Sequence, residues 1–187
     1  MKFKLIYIPV SICLICFGCG KKNSTNNISE VSLSEILSQT MFIQLESEGC
    51  KLNLEVNYSD SLNLDLHNVL QQLPKLVFFH SELNCNSCVE QDFPLFNKIQ
   101  KTIENNLLFF ASYKNNRDLI IFKRINNIQS NIYNVSSVGL PVEELNMPFC
   151  FVINQDFRAE SVFIPIKEDS LLLKRYLEII ANKYFKK

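Results

Sequence analysis

Two cysteines separated by two residues are the part of this sequence best suited to do chemistry. Cys85 and Cys88 follow an apolar run, KLVFFH (Lys75–His80), and precede a helical pattern. The thiolate is the reactive form of cysteine, and the partial positive charge of a helix N-terminus stabilises it. We therefore predict a redox pair in which Cys85 attacks from the exposed end of the helix. Cys88, one turn further in, is the resolving thiol.

The charges around this pair are acidic. Glu82, Glu90 and Asp92 lie close by in the sequence, whereas no Lys or Arg occurs within eight residues on either side. Negative neighbours oppose thiolate formation, so we expect a moderately lowered pKa for Cys85 and a mildly reducing pair.

Other roles for two nearby thiols are a metal site or plain packing. A structural zinc site needs four ligands, but the chain has no second CxxC and its only histidines are His67 and His80. We predict no cofactor and no resident metal. The alternatives left open are a binding protein whose pair carries Cu(I), which accepts few soft ligands, and two unreactive core cysteines.

The N-terminus reads as an export signal with a lipidation site. MKFK supplies positive charge, LIYIPVSICLICF supplies an apolar stretch, and Gly18 precedes Cys19 as in a bacterial lipobox. We predict cleavage after residue 18, lipidation of Cys19, a polar tether over residues 19–30 and a domain over residues 31–187. An ordinary signal peptide is the alternative.

Export also determines how the other cysteines are interpreted. Outside the cytosol disulfides persist, so Cys50 and Cys150 could pair, although Cys150 lies in an apolar strand where core packing is the simpler role. The charges, 19 basic and 19 acidic, give no electrostatic footprint for nucleic acid. We therefore predict a protein of the bacterial cell envelope, facing the periplasm, with protein thiols and disulfides as partners.

The hydrophobic patterns place these residues in an α/β domain with a mixed sheet flanked by helices. Val31–Ser47 stays open between helix and strand. The other predicted elements are a strand at Lys51–Tyr58, a turn or short helix at Leu62–Pro74, strands at Lys75–His80 and Asn106–Ser112, a helix from the thiol pair to Ile103, a helix at Asn115–Asn126 capped by Asn116, a hairpin of Met147–Asn154 and Arg158–Pro165, and a helix at Ser170–Phe185 capped by Asp169 or Ser170.

From Lys51 to Phe185 the sequence resembles the thioredoxin-like superfamily, and within it the TlpA-like (redoxin) branch. The resemblance is carried by the CxxC pair between a buried strand and a helix, by Pro94 in that helix, by Met147-Pro148 before the hairpin, and by the order of elements. It implies thiol–disulfide oxidoreductase activity, and it implies that Pro148 is cis and lies beside the thiols.

The sequence departs from that pattern around the pair. Asn84 replaces the usual Trp before the first cysteine, and the usual Pro inside the pair is missing. The buried acid of thioredoxin itself would fall near Phe79 or His80, neither of which is acidic. In the TlpA-like branch an acid just after the second cysteine handles the proton instead, and here both Glu90 and Asp92 follow Cys88. Asp92 stands directly before Phe93-Pro94, as that branch's acid does, but one residue further from the cysteine.

Overall fold

The computed structural model describes residues 33–57, 60–84, 89–167 and 169–186. The predicted signal peptide, the tether, Cys19 and the pair Cys85–Cys88 lie outside these residues. The chain divides into two units after Val31, and the second contains all described residues. Its helices are α1 Leu33–Ser47, α2 Leu66–Leu70, α3 Phe93–Ile103, α4 Asn116–Ile125 and α5 Ser170–Ile180, and its strands are β1 Glu55–Val56, β2 Lys75–Ser81, β3 Leu107–Ser112, β4 Asn131–Ser137, β5 Phe149–Ile153 and β6 Ala159–Phe163.

The strands form one mixed sheet in the order β1-β4-β3-β2-β5-β6. β2, β3 and β4 are parallel, with Phe78 opposite Phe109, whereas β5 runs antiparallel to β2, with Cys150 opposite Phe78. β5 and β6 form the predicted hairpin. The α/β class with a central mixed sheet is therefore confirmed. Parallel strands end at the same edge, which brings the carboxyl ends of β2 and β3 together.

The sheet is covered on both faces, as the continuous apolar stretch Leu76–Phe79 of β2 indicates. Alternate residues of β2 point to opposite sides, so Leu76 and Phe78 enter a first core while Val77 and Phe79 enter a second. The first core continues through α3, α4 and α5. The second contains Leu66 and Leu70 of α2, and Ile43 of α1 packs against its margin.

The region between β3 and the hairpin differs from the sequence prediction. The stretch NIYNVSS forms β4, which was not predicted because polar residues interrupt its apolar pattern.

The segment before α2 forms less strand than the sequence predicts. The strand predicted at Lys51–Tyr58 is limited to Glu55–Val56, with an isolated bridge between Lys51 and Arg158. Here the chain lies at the edge of the sheet, and its alternation reflects contact with the second core more than strand pairing.

Helix boundaries also differ in places. α3 begins at Phe93, after a turn at residues 90–92, with Asp92 as N-cap and Pro94 in the first turn, where a missing N–H costs nothing. The predicted start of this helix at the thiol pair falls outside the described residues. α4 is capped by Asn115, whose side chain accepts hydrogen bonds from two backbone N–H groups, and not by Asn116. α5 is capped by Asp169 as predicted. The segment left open between helix and strand is helical over Leu33–Ser47.

Across the described ranges, no helix combines the length and the apolar character that a bilayer crossing requires.

Candidate active site

Asn84 fixes the point at which the chain leaves the central strand. Its side-chain oxygen accepts a hydrogen bond from Ser81 N at 2.7 Å, and its amide nitrogen donates to Asn146 O at 2.7 Å. The side chain is buried, so both bonds are shielded from water. Asn84 therefore ties the end of β2 to the loop before β5, and the predicted thiol Cys85 follows it directly in the sequence.

A groove of about 200 Å³ opens beside this connection. The ends of β2, β3 and β4 border it on one side, and the segment Glu143–Phe149 borders it on the other. Glu143 is held in place because its carboxylate accepts hydrogen bonds from Val138 N and Leu140 N. Exposed apolar side chains of Leu83 and Met147 lie on its rim. The groove could therefore receive an extended segment with both polar and apolar groups.

Pro148 lies in the segment bordering this groove, but its predicted cis bond is wrong. The cis peptide bond among the described residues is Leu73–Pro74, and Met147–Pro148 is trans. An X–Pro bond prefers trans by about 0.5–1 kcal/mol unless its surroundings select the other isomer. Here the chain turns at Asn146, which has a left-handed backbone with φ 50°. The site's architecture thus does not depend on a cis proline.

Asp92 is a buried carboxyl group at the start of α3. Only 3% of it is exposed, and its side chain makes no capping hydrogen bond to the first turn. Removal from water disfavours the charged form, and burial raises the pKa of Asp92 to about 6. At neutral pH this carboxyl group is mostly ionised but readily protonated, as a proton acceptor requires.

His80 is buried near the end of β2 without a hydrogen-bond partner. It is 1% exposed, and neither ring nitrogen has a partner. Its ring stacks on Phe122 with 4.8 Å between centroids, and Phe78 and Tyr113 also contact it. Burial lowers the pKa of His80 to about 4, so the imidazole is neutral at physiological pH. On the first-core face of the sheet, the carboxyl end of β2 therefore carries an unpaired, neutral imidazole.

Comparison with solved structures gives the fold. A candidate thiol:disulfide interchange protein DsbE from Chlorobium tepidum superposes with a TM-score of 0.50 at 12% identity, covering 73% of this chain and 97% of that one. A secreted disulfide oxidoreductase of Mycobacterium tuberculosis superposes with a TM-score of 0.41 at 12% identity, covering 57% and 81%. No protein-family model matches the sequence, and no curated protein does.

The domain has a thioredoxin-like fold. This statement rests on the superposition on the Chlorobium tepidum protein and on the mixed sheet, whose central strand is β2. The predicted fold class is thereby confirmed, although one of its expected marks, the cis proline, is absent.

The thioredoxin-like domain keeps Cys50 and Cys150 apart, which settles the bridge left open from the sequence. Both are free thiols. Cys150 belongs to the first core and Cys50 lies against the second, on the other side of the sheet, so no disulfide can join them. The pKa of the Cys150 thiol is raised well above its usual value by burial and also by the charge of Asp92. Asp92 thus lies near the first core's thiol.

Metal ligands do not cluster in the part of the domain that the structure describes. No group of three or more His, Cys, Asp or Glu side chains there could hold an ion. The pair Cys85–Cys88 lies outside this statement, so the Cu(I) alternative depends on those two thiols.

Sequence reasoning missed two features at the carboxyl end of β2. His80 was assigned only to a strand end, yet it follows Leu76 and Phe78 at spacings of two, which places it on the same buried face. The bond from Asn84 to Asn146 spans 62 positions and has no local sequence signal.

Proposed function

We propose that this protein is a thiol–disulfide oxidoreductase of the bacterial cell envelope, in which Cys85 and Cys88 exchange disulfides with other proteins. The observation that carries the proposal is the anchoring of Asn84 between Ser81 and Asn146. It fixes the backbone one residue before Cys85, at the carboxyl end of the central strand and next to the groove. Chemistry in open α/β sheets concentrates at such strand ends.

The exchange proceeds in two balanced steps. The Cys85 thiolate attacks one sulfur of a substrate disulfide, forms a mixed disulfide and releases the other substrate sulfur as a thiolate. Cys88, once deprotonated, attacks Cys85 in that mixed disulfide, so the substrate leaves as a dithiol and a Cys85–Cys88 disulfide remains. Two electrons pass to the substrate, and a dithiol protein of the envelope must return two electrons to the pair. In the reverse direction the same steps oxidise a dithiol.

Asp92 supplies the proton acceptor for this exchange. A pKa of about 6 lets it take a proton from a cysteine at neutral pH and return it to the departing thiolate. His80 is not suited to that task, because its pKa of about 4 makes it a weak base. Glu90, two residues before Asp92, is exposed and offers a matched comparison.

The groove is the place for the substrate. An extended segment with a disulfide could lie between Leu83 and Met147, whose exposed side chains would contact its apolar groups. For the anchor, we propose that Cys19 carries lipid and that residues 19–30 tether the domain to a membrane on its periplasmic side.

Covalent trapping tests the activity. Cys88→Ser lacks the resolving thiol, so envelope proteins should remain disulfide-bonded to Cys85 and be released by dithiothreitol. Cys85→Ser should trap far fewer, and Cys50→Ser is the control for an uninvolved thiol. Equal trapping by the Cys85 and Cys88 variants would refute the assigned roles. Trapping by neither, with stoichiometric copper in the wild type, would support the binding-protein alternative.

Fractionation of cells tests the anchor separately. The wild type should sediment with membranes and carry an acylated N-terminal Cys19, whereas Cys19→Ser should lose the acyl group and normal processing. Normal processing and unchanged acyl content in Cys19→Ser would refute the lipid anchor without touching the thiol chemistry.

A further inference from the structure

Helix α1 is packed with its apolar side outward. Leu37, Met41 and Leu45 recur every fourth residue along one side, and Phe42 adjoins them. Leu37 is 47% exposed, Met41 62%, Leu45 64% and Phe42 66%. A helix that served only to cover its own domain would bury such residues, as the apolar stripe of α3 does.

The inner side of α1 is attached to the domain by hydrogen bonds as well as by Ile43, which packs against the second core. Ser47 is fully buried, donates to Ile43 O at 2.8 Å and accepts from Val142 N at 3.0 Å. Gln44 donates to Val162 O at 3.3 Å. These hydrogen bonds hold the helix in one orientation, so the outward position of its apolar side is a fixed property of the domain.

The outer side also lacks charge over a long stretch. Residues 36–45, ILSQTMFIQL, contain no ionisable side chain, and the nearest charges are the acidic Glu35 and Glu46. An uncharged apolar face has little to attract a charged partner, but it can enter the boundary between lipid headgroups and acyl chains. The flanking acids favour zwitterionic over anionic lipid.

The position of α1 in the chain favours a membrane as the occupant. Leu33 lies only 14 residues after Cys19, so an extended chain separates them by at most about 50 Å. With Cys19 acylated, as proposed above, α1 would be the first element of the domain to meet the bilayer.

We propose that the outer side of α1, formed by Leu37, Met41, Phe42 and Leu45, docks on the surface of a lipid bilayer. This inference rests on the proposed anchor for its setting but not for its test. Because Ser47 bonds to Val142 in the segment that leads to Glu143 and Met147, docking also fixes the groove relative to the membrane. The domain would then act on substrates close to the bilayer.

Vesicle binding by the unlipidated chain from Gly20 onward tests the surface without the anchor. Both described cores lie after Ser32, so this chain retains them in full. It should sediment with phosphatidylcholine vesicles, and added phosphatidylglycerol should not strengthen binding. Replacing Leu37, Met41 and Leu45 together by Gln should weaken binding by about tenfold or more, which equals about 1.4 kcal/mol.

A matched control uses exposed apolar residues elsewhere on the domain. Ile121→Gln, Ile125→Gln and Leu171→Gln together should leave vesicle binding unchanged, because these residues lie on α4 and α5. Circular dichroism and thermal unfolding should show both triple variants folded, since all six side chains are at least 41% exposed.

A single tryptophan keeps the test independent of the triple variant's folding. The chain contains no Trp, so Met41→Trp gives one emission signal, and Ile121→Trp gives its control. Vesicles should shift the Met41→Trp emission to shorter wavelength and leave that of Ile121→Trp unchanged. Equal shifts, or undiminished binding of the α1 triple variant, would overturn the proposal. Self-association without vesicles that the same triple variant abolishes would assign the surface to a second copy and also overturn it.

Discussion

The two ends of the central strand β2 both bury a basic side chain, but they treat it in opposite ways. Lys75 and His80 are each 1% exposed. The Lys75 ammonium donates to Asn105 O at 3.1 Å and to Asn106 Oδ1 at 2.9 Å, whereas neither nitrogen of His80 has a partner. The buried basic group at the amino end of β2 is therefore satisfied, as structural polar groups are, whereas the one near its carboxyl end is not.

A similar contrast holds for two other buried polar groups, which lie on opposite sides of the sheet. Asp92 forms no capping bond at the start of α3, while Ser47, on the second core's side, has both a donor and an acceptor partner. A fold selected for stability alone would pair such groups, since an unpaired buried polar group costs about 1–3 kcal/mol. His80, which has no partner, is thus the buried group that stability alone explains least.

Asp92→Asn should have the largest effect of these variants, and the effect should be on the rate of disulfide exchange. Without a proton acceptor, disulfide exchange at pH 7 should slow by about 10²-fold, and the decline of the wild-type rate below pH about 6 should disappear. The decline is expected because protonated Asp92 accepts no proton. Rates of insulin reduction between pH 5 and 8 measure both effects. Glu90→Gln is the control, and an equal loss in that variant would show that general negative charge, not Asp92, matters.

The pH dependence of the free energy of unfolding distinguishes His80 from Asp92, because their pKa values shift in opposite directions. His80 has a folded pKa of about 4, below its unfolded value. Its contribution to the free energy of unfolding is therefore complete above pH 6.5 and falls by about 2 kcal/mol as the pH is lowered from 8 to 5. Asp92 has a folded pKa of about 6, above its unfolded value. Lowering the pH from 8 to 5 therefore raises its contribution to the free energy of unfolding by about 1.4 kcal/mol.

The two changes nearly cancel in the wild type and should appear in single variants. His80→Phe keeps a ring against Phe122 and should become more stable on acidification from pH 8 to pH 5, whereas Asp92→Asn should become less stable. Urea unfolding at both pH values measures this. Parallel pH profiles of the two variants would contradict the opposite pKa shifts.

Lys75→Met should lower the stability of the folded protein and leave its activity unchanged. It keeps the aliphatic length but leaves Asn105 O and Asn106 Oδ1 without their donor, so the protein should lose about 1 kcal/mol at pH 7. Disulfide exchange should stay at the wild-type rate because Lys75 is at the far end of β2. A stability gain, or a slower exchange, would remove the distinction between the two ends.

Cys150→Val should have the smallest effect. Cys150 packs in the first core as a small apolar side chain, and a swap of similar volume should cost less than about 1.5 kcal/mol. In the native wild type its thiol should resist alkylation until the protein unfolds, because burial raises its pKa. Alkylation followed by mass spectrometry checks this, and modification of native Cys150 as fast as Cys50 would contradict its assigned place.

The fold was predictable where hydrophobic patterns are strong and local. The uninterrupted run of β2, the stripe of α3 and the β5–β6 hairpin all appear where the sequence indicated. β4 was missed because Asn131 and Asn134 interrupt its pattern, although its remaining residues pair with β3. A parallel pairing across an intervening helix has no signal in neighbouring residues.

The candidate site was predictable in its residue types but not in its environment. Asp92 could be picked out from its position after Cys88, yet its burial depends on how α3 packs against the first core. The isomer of Pro148 could not be obtained from sequence, because the surrounding loop, with Asn146 left-handed, decides it.

The reduction potential of the Cys85–Cys88 pair tests the central proposal most directly. The chain from Gly20 onward is equilibrated in glutathione buffers, and alkylation with mass spectrometry reports the oxidation state of each cysteine. The account predicts one reversible two-electron transition of Cys85 and Cys88, between roughly −270 and −120 mV, with Cys50 and Cys150 reduced throughout. A pair that stays oxidised or reduced at every potential in that range, or a transition involving Cys50 or Cys150, would contradict it.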